Sequence, residues 1–547
     1  MRNSGIFGCP GSHDDNNRQS SMRRLSGCIG RGWRSPWKLL VQATLVMAIV
    51  SPAVASTSSS GSSGSARWLP GIASGDESVV VTQHRIQTAK GPLDYEARVG
   101  RLAIRSEQTG QVHGYIFFVA YSVKPKDGEK RPITFAWNGG PGVASNIIHM
   151  EGLGPRRETK AGMVDNPDTP LATTDLVFYD AMETGFSRPA SPEFAPEFLN
   201  LKGDVAATAE FIRVYRTRFR ALDQPLFICG ESYGVFRAAA LADFLTDRDV
   251  KIAGTLLISG DIPNIPQPVA FYDAMHIPAR TATAFYHHRL SPELMKNRDA
   301  TMKEAIQWAT TVYRPALERV DQLSDAERET IATQLARYIG MLPEQIDRKT
   351  LVVHVPHYLE DFFGLDKTKT LSPYDTRDIG DKLDRGSATV LDHYLRDELA
   401  YNTDLTYTGN EGGYVPTPGH PARSAGEQFD YNADGITKEV RAHDEEGEVT
   451  YVARANPPWI INALRREKNM QVLVTTGRYD PLNMCEGDVA VTATLTPDLS
   501  SRIENHCYEG GHITYRDDAA RPQFLGDLSH FIARTLAAQP SSEAHKQ

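Results

Sequence analysis

An α/β fold, with a mostly parallel central sheet capped by a largely helical insertion, is what this sequence of 547 residues predicts. Three observations predict it. Apolar runs of strand length end in glycine-rich turns: Ile133-Thr134-Phe135-Ala136-Trp137 runs into Asn138-Gly139-Gly140-Pro141-Gly142, and Pro225-Leu226-Phe227-Ile228-Cys229 into Gly230-Glu231-Ser232-Tyr233-Gly234. Helix-length stretches alternate with strand runs up to residue 260, which is the rhythm of a parallel sheet. Apolar strand runs then become scarce between residues 270 and 450, where charged helix formers dominate, and one returns at Val472-Leu473-Val474-Thr475-Thr476.

Each element follows in order. Tyr95 to Ile104 and Gly114 to Val123 alternate apolar and polar residues in part and read as antiparallel strands. Ile133 to Trp137 and Asp175 to Tyr179 are short buried strands. Asp204 to Phe219 has helical spacing. The strand ending at Cys229 leads through a turn into a helix over Val235 to Leu241, and Ile252 to Ser259 is the next strand. In the insertion, Met302 to Arg337 and Ser387 to Leu399 read as helical, and Tyr407 to Gly426 as loop. After the returning strand, Leu525 to Leu536 is a terminal helix. The expected division is a leader over 1–55, a linker over 56–67, the first part of the core over 68–270, the cap over 271–450 and the rest of the core over 451–547.

Composition narrows the function. Hydrophobic residues make up 40% and charged residues 23%, enough apolar material for a sizeable core, so a disordered or fibrous chain is excluded. The formal charge is −9, and the first 55 residues hold seven Lys/Arg against two Asp/Glu, leaving −14 on the remainder. Such a surface disfavours nucleic acid or an anionic membrane as partner. The N-terminus has the order of an export signal. Arg23, Arg24, Arg31, Arg34 and Lys38 precede the apolar run Leu39 to Val50, and Ala53-Val54-Ala55 offers small residues for cleavage. That run is too short to cross about 30 Å of hydrocarbon, so no stable membrane insertion is expected after cleavage. Met22 is an alternative start. The Ser/Gly-rich stretch Ser56 to Ser65 reads as a tether. A periplasmic or extracellular location is expected.

The chemistry begins at Ser232. Strand, Gly-x-Ser-x-Gly, helix is the setting of a nucleophile elbow, in which the turn is too tight for a Cβ on either side of the serine. A serine nucleophile needs a base, and the base an orienting acid. In the α/β-hydrolase fold these follow in the order Ser, acid, His. Asp480 lies just past the returning strand. His512, in Gly510-Gly511-His512, lies on a glycine-flanked loop that lets the imidazole swing over the nucleophile. On its own Asp480 before Pro481 is an ordinary turn residue, and His512 is one of 16 histidines. Order and context single them out. His506 lacks the paired glycines. His354 and His357 lack a third ligand and read as structural, so no metal and no cofactor are expected. Oxyanion donors are the backbone N–H of Tyr233 and one from the glycine loop, Gly140. Cys485 and Cys507 are either a disulfide in an oxidising compartment or two buried thiols, and Cys229 is a packed core thiol.

Taken together, Trp137 to Gly142, Gly185-Phe186-Ser187, Gly230 to Gly234, Asp480 and Gly511-His512 resemble the serine carboxypeptidase family. Leu395 to Tyr407 is similar to bacterial members. The resemblance implies peptide substrates with a free C-terminus, removed residue by residue. It also implies that Asn138, the Gly139 backbone and Glu231 bind the terminal carboxylate. Two carboxylates sharing hydrogen bonds cannot both stay charged, so one holds a proton and peptide hydrolysis favours acidic pH. Three departures bear on this. The family often carries a carboxylate at the position of Gly152, with Glu151 adjacent here. Ala181-Met182-Glu183 replaces a usual Pro-x-Gly, with an expected change in the pocket. Ile513 follows the histidine where Met is common. An esterase or acyltransferase would use the same Ser-His-Asp site, a non-catalytic binding protein would carry it as a relic, and both monomer and homodimer are open.

Overall fold

In the computed structural model the described residues are 77–127, 130–260, 265–364, 366, 368–380, 388–409, 425–431, 438–443, 449–455 and 457–539. The leader, the apolar run Leu39 to Val50 and the Ser/Gly tether lie outside them. Among the described residues ten strands form one sheet: β1 (Val79–Thr88), β2 (Gly91–Arg105), β3 (Val112–Ser122), β4 (Ile133–Trp137), β5 (Asp175–Tyr179), β6 (Arg188–Pro189), β7 (Leu226–Glu231), β8 (Gly254–Ile258), β9 (Gln471–Gly477) and β10 (Ile503–Tyr508). Their order is β1-β2-β3-β5-β4-β7-β8-β9-β10, with the two-residue β6 against β3.

From β5 to β10 every neighbouring pair is parallel. The β1–β2, β2–β3 and β3–β5 pairs are antiparallel. The sheet is therefore mostly parallel, as the alternating pattern predicts. Register lines up the strand ends. Trp137 sits beside Gly230, Ile258 beside both Glu231 and Thr475, and Gly477 beside Tyr508. The chain leaves β4 for β5 on one side and later returns as β7 on the other. Such a reversal opens a crevice at the carboxyl ends of the strands.

Period-two alternation distributes the strand side chains between two layers. Phe135, Trp137, Leu226 and Ile228 join one apolar cluster with Phe211, Leu241 and Ile460. These come from α1 (Leu201–Arg218), α2 (Tyr233–Thr246) and a helix at Trp459–Arg466. Phe227, Cys229 and Leu256 face the other way, toward Phe524, Leu528 and Phe531 of the terminal helix Ala520–Ala537. The Asn200 side chain caps α1 by accepting from the Gly203 N–H at 2.9 Å, which moves the helix start three residues ahead of the expected Asp204.

The insertion has its own core. Phe271 and Ala274 of α3 (Val269–Tyr286) pack with Ala305 of α4 (Arg298–Trp308) and with Leu335 of α5 (Asp325–Ile339). The helical stretch expected over 302–337 is built from several helices. A capping box at Ser324 and Glu327 starts α5 afresh, and Gly340, at φ 72°, ends it. Met484 and Val491 belong to the same cluster, so this core reaches the helix α6 (Cys485–Ala493) that follows Asp480.

Three features differ from the expectations. β1 and β10 were not expected as strands. β1 is an edge strand with exposed positions throughout, and β10 (Ile-Glu-Asn-His-Cys-Tyr) is polar and only half buried. The insertion, expected to be helical, holds a hairpin over Lys438–His443 and Val449–Ala455. A second hairpin spans Arg156–Thr159 and Gly162–Asp165. Cys485 and Cys507 are bonded, with Cα atoms 5.7 Å apart, and Cys229 is free and buried. Among the described residues no helix is long and apolar enough to cross a membrane.

Candidate active site

Four parallel strands deliver the site residues, each just past its carboxyl end. Ser232 follows β7 with φ 58° and ψ −129°, a left-handed backbone that an L-residue rarely adopts. Its N–H donates to the Ile258 carbonyl at 2.9 Å, and its carbonyl accepts from Val235 N–H at 2.9 Å. The elbow glycines are sterically required. A Cβ on Gly230 would fall 2.0 Å from the Gly234 carbonyl oxygen, and one on Gly234 2.8 Å from Trp137 Cδ1. Trp137 Nε1 donates to the Gly234 carbonyl at 3.0 Å and ties the end of β4 to the elbow.

The glycine loop after β4 lies against the first turn of α2. A Cβ on Gly139 would meet the Tyr233 nitrogen at 2.5 Å, and Gly140 has φ 103°. The Gly139–Gly140 backbone and the Tyr233 N–H are thus brought together. Arg237 fixes this loop. Its Nη1 donates to the Asn138 carbonyl at 3.1 Å and its Nε to Asp204 Oδ2 at 2.7 Å, with both charged side chains buried. Removing one partner of a buried ion pair leaves the other uncompensated. Arg237→Leu is therefore expected to destabilise the fold by about 3–5 kcal/mol, read from urea unfolding midpoints. A loss under about 1 kcal/mol would show the pair to be dispensable.

Asp480 is fully buried beyond β9. Its Oδ2 accepts from His512 Nδ1 at 2.8 Å and from Asn483 Nδ2 at 2.7 Å, and its Oδ1 accepts from the Leu482 N–H at 2.8 Å. With Nδ1–H donating to Asp480, Nε2 is the free basic nitrogen of His512. The insertion grips the histidine loop. His512 N–H donates to the Tyr374 carbonyl at 2.6 Å, and Thr376 N–H to the Tyr479 carbonyl at 3.0 Å. A Cβ on Gly511 would sit 2.4 Å from the Tyr374 oxygen, so this glycine serves close packing. The swinging loop expected at the histidine is instead a pinned one. Burial disfavours the imidazolium, but the charge and hydrogen bond of Asp480, helped by Glu231, outweigh it and raise the His512 pKa above its ordinary value.

Asn138 and Glu231 meet next to Ser232. Asn138 Nδ2 donates to Glu231 Oε2 at 2.6 Å, while its Oδ1 accepts from the Ile148 N–H at 2.9 Å, which sets the amide orientation. Tyr515 OH donates to the same Oε2 at 2.6 Å. Burial pushes Glu231 up to about 7, partly opposed by the Tyr515 hydrogen bond and the charges of His512 and Arg516.

The remaining sequence candidates lie elsewhere. His506 pairs with Glu504 and Asp527 at 2.6 and 3.1 Å rather than with Asp480. His354 and His357 have ring centroids 6.3 Å apart in the insertion. Among the described residues no group of three or more His, Cys, Asp or Glu is arranged to hold a metal. Met182, in the segment expected to alter the pocket, lies in the core against Gly114. Four contributors escaped sequence reasoning: Tyr515, Asn483, the Asp204–Arg237 pair and the Tyr374–Thr376 segment. Gly152, read in the sequence only as a missing carboxylate, is where the Tyr515 ring packs.

Comparison with known proteins gives a family. A model described as serine carboxypeptidase matches residues 89–369, just over half of the chain. The match includes Asn138 to Gly142 and Gly230 to Gly234 and stops before Asp480 and His512. A search of curated proteins gives no match. Among solved structures, the chain is similar to the Kex1 prohormone-processing carboxypeptidase from Saccharomyces cerevisiae, at 14% identity and TM-score 0.42, covering 80% of this chain and 92% of that one. It is also similar to proline iminopeptidase from Mycobacterium smegmatis, at 13% identity and TM-score 0.31, covering 84% and 100%. With the glycine loop and the serine elbow inside a match of this extent, and an α/β-hydrolase sheet beneath them, the chain belongs to the serine carboxypeptidase family of hydrolases.

Proposed function

We propose that this chain is an exported carboxypeptidase that releases residues from peptide C-termini through an acyl-enzyme, and that it works best on the acidic side of neutrality. Ser232 Oγ attacks the scissile carbonyl carbon while His512 Nε2 takes its proton. Asp480 holds the imidazole in the required tautomer and steadies the imidazolium. The N–H groups of Gly140 and Tyr233 hold the oxyanion. The C–N bond breaks, His512 returns the proton to the leaving amine, and a water activated by the same imidazole resolves the acyl-enzyme. The observation that carries the reading is the buried Asn138–Glu231 hydrogen bond, one residue from Ser232. An ester or amide lacking a carboxylate has no use for it. A peptide's terminal carboxylate would accept from the Gly139 N–H and from Glu231 in its protonated form. The export signal read in residues 23–55 supports a periplasmic or extracellular location.

The expected pH profile follows from two groups. Glu231 must keep its proton to face a second carboxylate, and with its pKa pushed up to about 7 the neutral form dominates below that value and is lost above it. His512 must be neutral to act as base, so activity also falls as pH drops through its raised pKa. Peptide hydrolysis is expected to be bell-shaped with an alkaline limb near Glu231's value, whereas hydrolysis of a simple ester rises to a plateau. The test compares an N-blocked dipeptide with its C-terminal amide and an N-blocked ester from pH 4 to 9. A peptidase rate still rising at pH 9 would refute the protonated-carboxyl account. Ester cleavage without release from either dipeptide would identify an esterase or acyltransferase.

A further inference from the structure

Both hydrogen bonds to Glu231 fall on one oxygen. Asn138 Nδ2 and Tyr515 OH each donate to Oε2 at 2.6 Å, and among the described residues no hydrogen bond falls on Oε1. An oxygen that already accepts two donors is a poor seat for a proton, so the proton of the neutral carboxyl belongs on the other oxygen. Space for the second donor exists because residue 152 is glycine. A Cβ there would lie 3.2 Å from Tyr515 Cδ2 and 3.2 Å from Cε2, tighter than an ordinary contact, and any longer side chain would collide with the ring. Tyr515 itself is fully buried between Gly152 and Phe524.

We propose that Tyr515 is a positioning residue for carboxylate recognition: with Asn138 it holds Glu231 so that the proton sits on Oε1 and is presented to the substrate's terminal carboxylate. The inference rests on the carboxypeptidase reading and adds the group that orients its key proton. A phenol is suited to this task. Burial and the neighbouring Glu231 hold the Tyr515 hydroxyl well above its ordinary pKa, so it remains a donor wherever the enzyme works. A second carboxylic acid in its place would titrate in the working range and could donate or accept. The other groups acting on Glu231 are His512, Arg516 and Glu151 by charge, and Arg516 Nη2 is itself held by Glu151 Oε1 at 2.7 Å. Cys229, buried on the same strand, stays a neutral thiol. Tyr515 is therefore the neighbour with a neutral hydroxyl donor fixed on Glu231.

The test measures kcat and KM for an N-blocked dipeptide and its C-terminal amide, from pH 5 to 9, in wild type, Tyr515→Phe and Glu231→Gln. Labelling of Ser232 by a fluorophosphonate reports that each variant is folded. If wild type shows no preference for the free acid, the carboxypeptidase reading fails and the inference with it. If the preference is present, Y515F is expected to raise KM for the free acid about 10-fold, the scale of one hydrogen bond to a charged group, with a smaller change in kcat. Its alkaline limb should also move to higher pH, because a donor that favours the charged carboxylate has gone. Y515F with the wild-type KM and limb would overturn the inference. Should Y515F not fold, E231Q decides. Its amide oxygen takes the two hydrogen bonds and its NH2 faces the substrate, so the free-acid preference should persist at pH 8 with no alkaline limb. Loss of the preference at every pH would overturn the inference.

Discussion

Ser232→Ala is expected to lower kcat on both peptide and ester substrates by about 10^6-fold, the scale on which a serine nucleophile acting with its base contributes. The backbone reason is specific to this chain. Ser232 holds φ 58° between two glycines whose Cβ atoms would collide with the turn, and its N–H is tied to Ile258 of the next strand. A turn so constrained places the side chain at the mouth of the crevice between β4 and β7, and Ala keeps the turn while removing the oxygen. The proposed oxyanion donors, the N–H groups of Gly140 and Tyr233, are untouched by this change, so a residual rate of about 10^3-fold over water is expected to survive. Single-turnover kinetics and loss of fluorophosphonate labelling check this. A variant retaining one hundredth of the wild-type rate would mean that another nucleophile does the work.

Asp480→Asn is expected to reduce kcat about 10^4-fold, by presenting His512 with the wrong partner. Asp480 Oδ2 accepts the Nδ1 proton at 2.8 Å, and an amide NH2 turned to that position would push the proton to Nε2, where it blocks the base. Asn483, which also donates to Oδ2, cannot supply the missing charge. The variant also has a pH signature. Burial alone depresses the His512 pKa, and Asp480 is the main reason that it is raised. Removing the charge should therefore shift the acid limb of ester hydrolysis to lower pH while the plateau collapses. A loss smaller than 10-fold, or an unmoved acid limb, would send the search for the orienting acid elsewhere.

Local sequence determined the parts of this protein that local physics governs. β4 and β5 were legible to the residue, because strands buried on both faces read as short, mainly apolar runs between polar or glycine residues. The elbow was legible because a tight turn excludes a Cβ, and Asp480 and His512 were singled out by the Ser, acid, His order of the fold, by the strand before Asp480 and by the paired glycines before His512. β1 and β10 escaped because strands at the sheet edges tolerate polar residues, which erases the pattern. The tertiary structure alone decided what depends on chain closure. It chose the disulfide over two free thiols by bringing Cys485 and Cys507 together. It pinned the histidine loop with a carbonyl of Tyr374 from the insertion. It also set Tyr515 on Glu231, 284 residues away in sequence, in space that Gly152 leaves open. Periodicity reports which way a residue faces, whereas a hydrogen bond between distant segments depends on where the whole sheet carries them.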